Sequence, residues 1–336
     1  MNEHRRVLIQ ALAAAGAVGL SGRIARAASA EPPPETKRIR LVKFPSLCLA
    51  PLLVAEELLR AEGFDISYVA PLAPGGGPGS VQMLSDGQVD MAVWFAAPLV
   101  IAIDRGAEIS VVGGVHSGCF DLFTVPSVRS IKDLKGKTVS VLSHESAQHV
   151  FVASIATSVG LDPNRDIQWV FHPPALGMQL LAEGRIDGYL GFSPDPQELR
   201  DKKVGRLLLS STVDRPWSQY FCCMVTGNRA WLRQHPVAAK RVMRAILKGT
   251  DICASDPDVG VNAFFAHGFT PNREYARQAI RELPYGRWRD YNPEETLRFY
   301  ALRLREAGMV KNTPQKIIAQ GADWRIFDQL KQEMKV

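Results

Sequence analysis

The stretch Arg38-Ile39-Arg40-Leu41-Val42-Lys43-Phe44 is followed by the turn Pro45-Ser46-Leu47-Cys48-Leu49-Ala50. After it comes Pro51-Leu52-Leu53-Val54-Ala55-Glu56-Glu57-Leu58-Leu59-Arg60-Ala61-Glu62-Gly63. The first run alternates and is rich in aliphatic residues, so it reads as a strand. Pro51 suits the first position of a helix. Leu52, Leu53, Ala55, Leu58 and Leu59 set an apolar face against Glu56, Glu57, Arg60 and Glu62. Gly63 closes that helix, and Phe64-Asp65-Ile66-Ser67-Tyr68-Val69 reads as a second strand. Strand, helix, strand is a β-α-β unit, which makes the two strands parallel neighbours in one sheet. The fold class is therefore α/β.

The pattern continues outward from this unit. A helix over 80–86 is closed by Gly87, and Met91-Ala92-Val93-Trp94-Phe95 reads as a buried strand. A helix over 98–105 ends at Gly106, and a strand follows at 109–112. Residues 119–125 read as a strand that leaves the first sheet. From Ile131 the pattern restarts. A turn at 133–137 precedes a strand at 138–142. Ser143 to Ser146 caps a helix running to 159, and strands at 167–170 and 186–190 flank a helix at 175–182. The two blocks share a local signature. Met83-Leu84-Ser85-Asp86-Gly87-Gln88-Val89-Asp90 is echoed by Leu180-Leu181-Ala182-Glu183-Gly184-Arg185-Ile186-Asp187. Each is a helix end, a glycine turn, an Asp and the start of a buried strand, so we expect two lobes of similar construction. One more strand is expected at 217–225. Helices punctuated by Pro257, Pro271, Pro284 and Pro314 follow to the end.

Composition excludes several classes. The chain has 336 residues, 46% apolar and 22% charged, which are ordinary globular values. Its net charge of +6 is unevenly placed: residues 1–30 hold four arginines and one acid, leaving 36 bases and 33 acids elsewhere. No basic stripe remains for nucleic acid, so we expect no nucleic-acid partner. Five cysteines are too few for a disulfide scaffold, and their odd number leaves at least one without an internal partner. Cys222 and Cys223 are adjacent in an expected strand and point to opposite faces. We read all five as small buried apolar groups.

Residues 1–30 read as an export signal. Arg5-Arg6 precedes an uncharged run over 7–20, too short for a membrane span. Ala28-Ser29-Ala30 places cleavage after Ala30, with Ala27 as the other position. Arg5-Arg6-Val7-Leu8 resembles a twin-arginine signal. Residues 31–36 read as a linker.

Several pieces in order carry a family resemblance. They are the first strand with its 45–51 turn and helix, Leu84-Ser85-Asp86-Gly87-Gln88-Val89-Asp90, Asp133-Leu134-Lys135-Gly136-Lys137-Thr138-Val139, Gly160-Leu161-Asp162-Pro163, and Glu183-Gly184-Arg185-Ile186-Asp187. Together they span roughly residues 37–250 behind an export signal. The chain resembles the periplasmic substrate-binding proteins of ABC importers, in the group of nitrate-, taurine- and alkanesulfonate-binding proteins and thiamine-pyrimidine-precursor proteins. The resemblance implies a periplasmic binding protein-like fold, two α/β lobes with a ligand cleft between them and a helical C-terminal part. Lobe one would be 37–120 plus 226–336, and lobe two 126–216, with crossings at 121–125 and 217–225. It implies a monomer that binds a small molecule without a cofactor and docks on an inner-membrane ABC permease.

In open α/β sheets ligands sit at the carboxyl ends of strands. Those positions are Ser46, Leu47 and Cys48 after the first strand, Trp94 and Phe95, then Ser143, His144 and Ser146, then Phe192 and Ser193, and Tyr220 on the return crossing. The helix beginning at 143–146 offers amides for an anionic group, or Ser143 is simply its cap. Trp94, Phe95 and Phe192 are either ligand plates or core. His116 either bonds a ligand or is structural. The aromatic weight favours an organic solute over a bare ion.

His144-Glu145-Ser146-Ala147-Gln148-His149 fails as a zinc-protease motif, because its histidines are five apart, about 140° around a helix. We therefore expect no metal. Pro74-Gly75-Gly76-Gly77-Pro78-Gly79-Ser80 lacks the Gly-Lys-Ser/Thr of a phosphate loop and reads as a hinge or access loop. Two other classes are a ligand-binding sensor and an enzyme. Fungal relatives in the resembled group consume pyridoxal phosphate and one of their own histidines to make a thiamine pyrimidine precursor. They carry a longer cysteine-rich run, where this chain has Cys222-Cys223-Met224. We expect no enzyme.

Overall fold

Arg38–Val42 forms strand β1 and Asp65–Val69 strand β2, paired in parallel with Leu41 opposite Tyr68. Between them a 3-10 turn at Leu47–Leu49 leads into helix α1, Ala50–Ala61. Helix α1 buries Leu52, Leu53, Val54, Ala55 and Leu59. The chain leaves it through Gly63 at φ +84°, a conformation that costs glycine little. The computed structural model describes residues 31–71, 77–269 and 271–335. The expected export signal over 1–30 and the stretch 72–76 of the glycine-rich loop lie outside the described residues. From Glu35 onward the described chain is one compact unit.

Helix α2 (Pro78–Ser85) precedes strand β3 (Met91–Phe95), and helix α3 (Ala96–Asp104) precedes strand β4 (Ile109–Ser117). The chain then passes through Gly118 and Cys119 into β5, Phe120–Thr124, which belongs to a second sheet. That sheet adds β6 (Lys137–Val141), helix α4 (Ala147–Ser158), β7 (Ile167–Phe171), helix α5 (Pro174–Ala182), β8 (Gly188–Phe192), helix α6 (Asp195–Asp201) and β9 (Arg206–Ser210). The chain returns over 211–220, through a 3-10 turn at Trp217–Gln219, into β10 (Phe221–Asn228) of the first sheet.

The strand orders are β2-β1-β3-β10-β4 and β7-β6-β8-β5-β9. They match position for position. In each, the first three strands run parallel, and the strand that arrives from the other lobe is antiparallel to its neighbours. The sequence echo has a physical basis. Asp90 Oδ2 accepts from the Arg40 backbone N–H at 2.7 Å, and Asp187 Oδ2 accepts from the Thr138 backbone N–H at 2.9 Å. Each Asp backbone N–H returns a bond to the same residue's carbonyl. The carboxylate thus ties the start of the third strand to the first.

Seven further helices follow: α7 (Arg229–Gln234), α8 (Pro236–Ser255), α9 (Pro257–Ala266), α10 (Arg273–Glu282), α11 (Pro293–Glu306), α12 (Pro314–Gly321) and α13 (Arg325–Glu333). Helix α8 lies on α1 so closely that a Cβ at Gly249 would strike the Pro51 carbonyl. Helix α11 packs on α3 and reaches α4 of the other lobe. One large apolar core runs through both sheets, and a smaller one in lobe two gathers Phe123, Leu180, Leu181, Ile186, Tyr189 and Leu199.

Three assignments change. Helix α6 and strand β9 stand where no element is expected, because Arg206-Leu207-Leu208-Leu209-Ser210 is a non-alternating edge strand with an exposed Leu207. The strand expected at 217–225 starts only at Phe221, after the 3-10 turn. Residues 121–124, expected in a crossing, pair with β8 and β9, so the first passage between sheets is Gly118-Cys119.

Candidate functional site

The carboxyl ends of β3 and β8 meet between the lobes. Phe95 stands five residues after Asp90 and Phe192 five residues after Asp187, so the two phenylalanines are equivalent in the two sheets. Their ring centroids are 6.4 Å apart. Phe44 and Phe120 extend the group at 6.1 Å and 5.3 Å from Phe95, and Phe151 of α4 touches Phe120 at 4.9 Å. Rings from both lobes therefore form one apolar floor. Ser46 lies nearby in sequence, fully buried, and its Oγ makes no hydrogen bond among the described residues.

A cavity of about 260 Å³ also lies between the lobes, and none of these five rings lines it. Asp121, Ser193, Gln197, Arg200 and Ser210 line it from lobe two, and Glu282 and Leu283 from lobe one. Arg200 donates to Asp121 at 3.2 Å and to Glu282 at 2.5 Å. Gln197 Nε2 donates to Glu282 as well, at 2.9 Å, while its buried Oε1 has no partner among the described residues. Burial raises the Asp121 carboxyl, partly offset by Ser210 and Arg200. Such a wall offers a cation, carboxylates and amide groups in one small space.

Ion pairs close both rims. Arg105, at the end of α3, donates to Glu145 of lobe two at 2.5 and 3.1 Å. These bonds hold the Glu145 carboxyl below the usual range. A Cβ at Gly77 would come within 2.5 Å of the Glu145 carbonyl oxygen, so only glycine permits this approach. On the far rim the Arg200–Glu282 pair is joined by the Tyr275 hydroxyl, which donates to Asp201 at 2.6 Å. The lobes are thus shut on each other.

The expected site residues separate into groups. Phe95, Phe192 and the cavity-lining Ser193 lie between the lobes. Leu47 is buried, and its carbonyl accepts from the Tyr285 hydroxyl at 2.8 Å. Cys48 is buried with its sulfur 3.0 Å from that of Cys119. Trp94 is 1% exposed and packs edge-on to Phe44 of the floor. Along β3, Trp94 and Phe95 face opposite sides. Tyr220 is no open plate: its ring stacks on Phe299 of α11 at 4.0 Å. Ser143 is not the cap of α4. That role belongs to Ser146, whose Oγ accepts the His149 N–H. His144 is exposed, with its ring against His149 and Phe171, toward β7. Burial, with His144 adding to it, pushes the His149 pKa down to about 4.

Two features escaped the sequence reading. Asp195 at the start of α6 is buried, which pushes its carboxyl up to about 7 although the Tyr189 hydroxyl donates to it at 2.6 Å. The other is the gathering of Cys48, His116, Cys119 and Cys223, whose ligating atoms all lie within 4.8 Å of one another. The His116-Ser117-Gly118-Cys119 spacing was the available signal for it.

The architecture of two matched α/β lobes around a shut cleft is the fold of the periplasmic binding proteins. The chain is similar in structure to the nitrate-binding protein NrtA of Synechocystis PCC 6803, with TM-score 0.75, 13% identity and 91% of each chain covered. It is similar also to the alkanesulfonate-binding protein SsuA of Xanthomonas axonopodis pv. citri bound to MOPS, with TM-score 0.67, 17% identity, and 86% of this chain and 99% of that one covered. The aliphatic sulphonate-binding SsuA of Escherichia coli gives TM-score 0.66 at 17% identity, covering 84% and 91%. The pattern of the NMT1-like family matches residues 32–260, and the chain belongs to that family. No curated protein matches it by sequence.

Proposed function

We propose that this chain is the periplasmic solute-binding component of an ABC importer, taking a small organic solute into the cleft between its lobes. The observation that carries this is the meeting of equivalent strand ends: two sheets of identical order face each other through Phe95 and Phe192 and are joined by two passages. The structural neighbours are named for sulfonate and nitrate binding, which supports a small anionic solute. The rings would hold an apolar body. Arg200, Ser193, Gln197 and the idle Ser46 hydroxyl would take its polar end. The remaining strand-end positions, Ser143, His144 and Ser146, belong to the lobe-two rim of the same cleft.

The mechanism is capture and closure. Solute bridges the lobes, the rim pairs form, and the shut form docks on an inner-membrane permease and lets go. Solute shifts the open–shut balance only by its difference in affinity for the two forms. Export would remove residues 1–30, leaving a monomer that binds and does not catalyse. The test is a thermal-shift screen of residues 31–336 against sulfonates, nitrate, pyrimidines and aromatic acids. A solute at 100 times its Kd stabilises by about 2.7 kcal/mol, several degrees for a chain of this size. A hit confined to one chemical class, with a smaller radius of gyration in scattering, supports the reading. A folded chain that responds to none of these classes overturns it.

A further inference from the structure

Four residues that the solute reading leaves aside come together at the base of the cleft. Cys48 lies in the 3-10 turn after β1, His116 near the end of β4, Cys119 in the passage to β5, and Cys223 on β10 opposite His116. All four are buried, and their ligating atoms lie within 4.8 Å of one another. Cys119 Sγ is 3.0 Å from Cys48 Sγ and 3.5 Å from Cys223 Sγ.

The imidazole is an independent observation. Its Nδ1 is 3.0 Å from the Ser117 carbonyl oxygen, which makes Nδ1 the donor. In the neutral ring Nε2 then carries the lone pair. Nε2 is buried and, among the described residues, meets nothing but the Cys48 and Cys223 thiols. Metal-binding histidines have this arrangement: one nitrogen donates to a carbonyl while the other faces the ion. The surroundings fix the ring and the turn. Tyr285 lies edge-on to His116 at 4.9 Å, and its hydroxyl donates to the Leu47 carbonyl beside Cys48. The Ser117 hydroxyl donates to that of Tyr291 at 2.8 Å.

Three thiolates and one imidazole are a complete tetrahedral set for Zn²⁺. With Zn–S near 2.3 Å, sulfurs on one ion stand roughly 3.8 Å apart. The two short sulfur spacings would widen by less than about 1 Å to admit it. We propose that Cys48, His116, Cys119 and Cys223 bind one thiophilic transition-metal ion, with Zn²⁺ as the fit. Binding releases the thiol protons and involves no redox change. Protein atoms fill every position, so the ion is a structural clip. It ties the turn after β1 to β4, to the outward passage and to the return strand.

The test uses the full chain, reduced and stripped of metal, titrated with Co²⁺ and then Zn²⁺ without oxygen. One equivalent of Co²⁺ should produce tetrahedral bands with thiolate-to-cobalt charge transfer, and Zn²⁺ should abolish them and raise Tm. Cys223→Ser and His116→Gln should each weaken binding at least about 100-fold, beyond the range of a second-shell loss. Cys253→Ala, at a buried cysteine outside the cluster, should bind like the parent. Thiol titration of the denatured, unreduced protein should count all five cysteines. No such bands in folded parent protein overturn the proposal, whatever the variants do. So does a disulfide between Cys48 and Cys119 in the protein as purified.

Discussion

The two lobes share a strand order and differ in what fills one equivalent position. Counting from the tying carboxylates, Trp94 of β3 corresponds to Gly191 of β8. In lobe one the slot holds an indole sealed in the core. In lobe two a Cβ at Gly191 would already press on Tyr189 and Asp195, and that hydrogen-bonded pair stands beside it. Topology is thus set by features that both lobes keep, namely the glycine turn, the Asp and the apolar strand. The filling is free to vary between an apolar side chain and a buried acid. The lesson is energetic: lobe one is anchored by packing that ignores pH, lobe two by a group that titrates.

That contrast can be broken experimentally. Trp94→Ala should cost about 3–5 kcal/mol in urea unfolding, as for a buried large aromatic. Unchanged stability with weakened solute binding would return Trp94 to the cleft. Asp195 has the next largest expected effect. Its carboxyl titrates at about 7 when folded against 3.8 ordinarily. The folded state holds the proton more tightly, so the stabilisation is full below pH 3.8 and is lost as pH rises through 7. The loss is up to about 4 kcal/mol. Asp195→Asn should remove it. The parent-minus-variant stability should therefore fall between pH 4 and 8, and a flat difference would deny the buried acid.

The shared device sharpens the comparison. Asp90 is 4% exposed and also bonds the Arg40 guanidinium at 2.6 Å, whereas Asp187 is 28% exposed and 3.4 Å from Lys137. Asp90→Ala should cost about 2–3 kcal/mol and Asp187→Ala about 1 kcal/mol, since an emptied buried partner is the dearer loss. Equal costs would mean that burial does not grade them. The rim pairs come last. Arg105→Ala should change stability by less than about 1 kcal/mol, because the pair is half exposed. It should nonetheless enlarge the solute-bound molecule in small-angle scattering when combined with Glu282→Ala, which removes the far-rim pair. An unchanged radius of gyration would mean the rims do not hold the lobes shut.

Much of the fold was legible because its signals are local. The apolar face of α1, the stop at Gly63 and the two glycine-turn–Asp motifs are each written within a dozen residues. Helix α6 and strand β9 were not legible, since an edge strand of consecutive leucines carries no period. Within the site, strand ends pointed to Phe95, Phe192 and Ser193. They could not tell which neighbour would cover a ring: Phe44 packs on Trp94 and Phe299 stacks on Tyr220, both far along the chain.

By itself the amino-acid sequence determined the two β-α-β blocks, their repetition and the strand ends where a cleft forms, because periodicity and turn chemistry are properties of neighbouring residues. Tertiary structure alone decided that Cys48, His116, Cys119 and Cys223 share one buried point and that Arg105 meets Glu145. Those groups come from segments whose spacing carries no rule. Only the pairing of β10 between β3 and β4, and the closure of one lobe on the other, brings them within bonding reach.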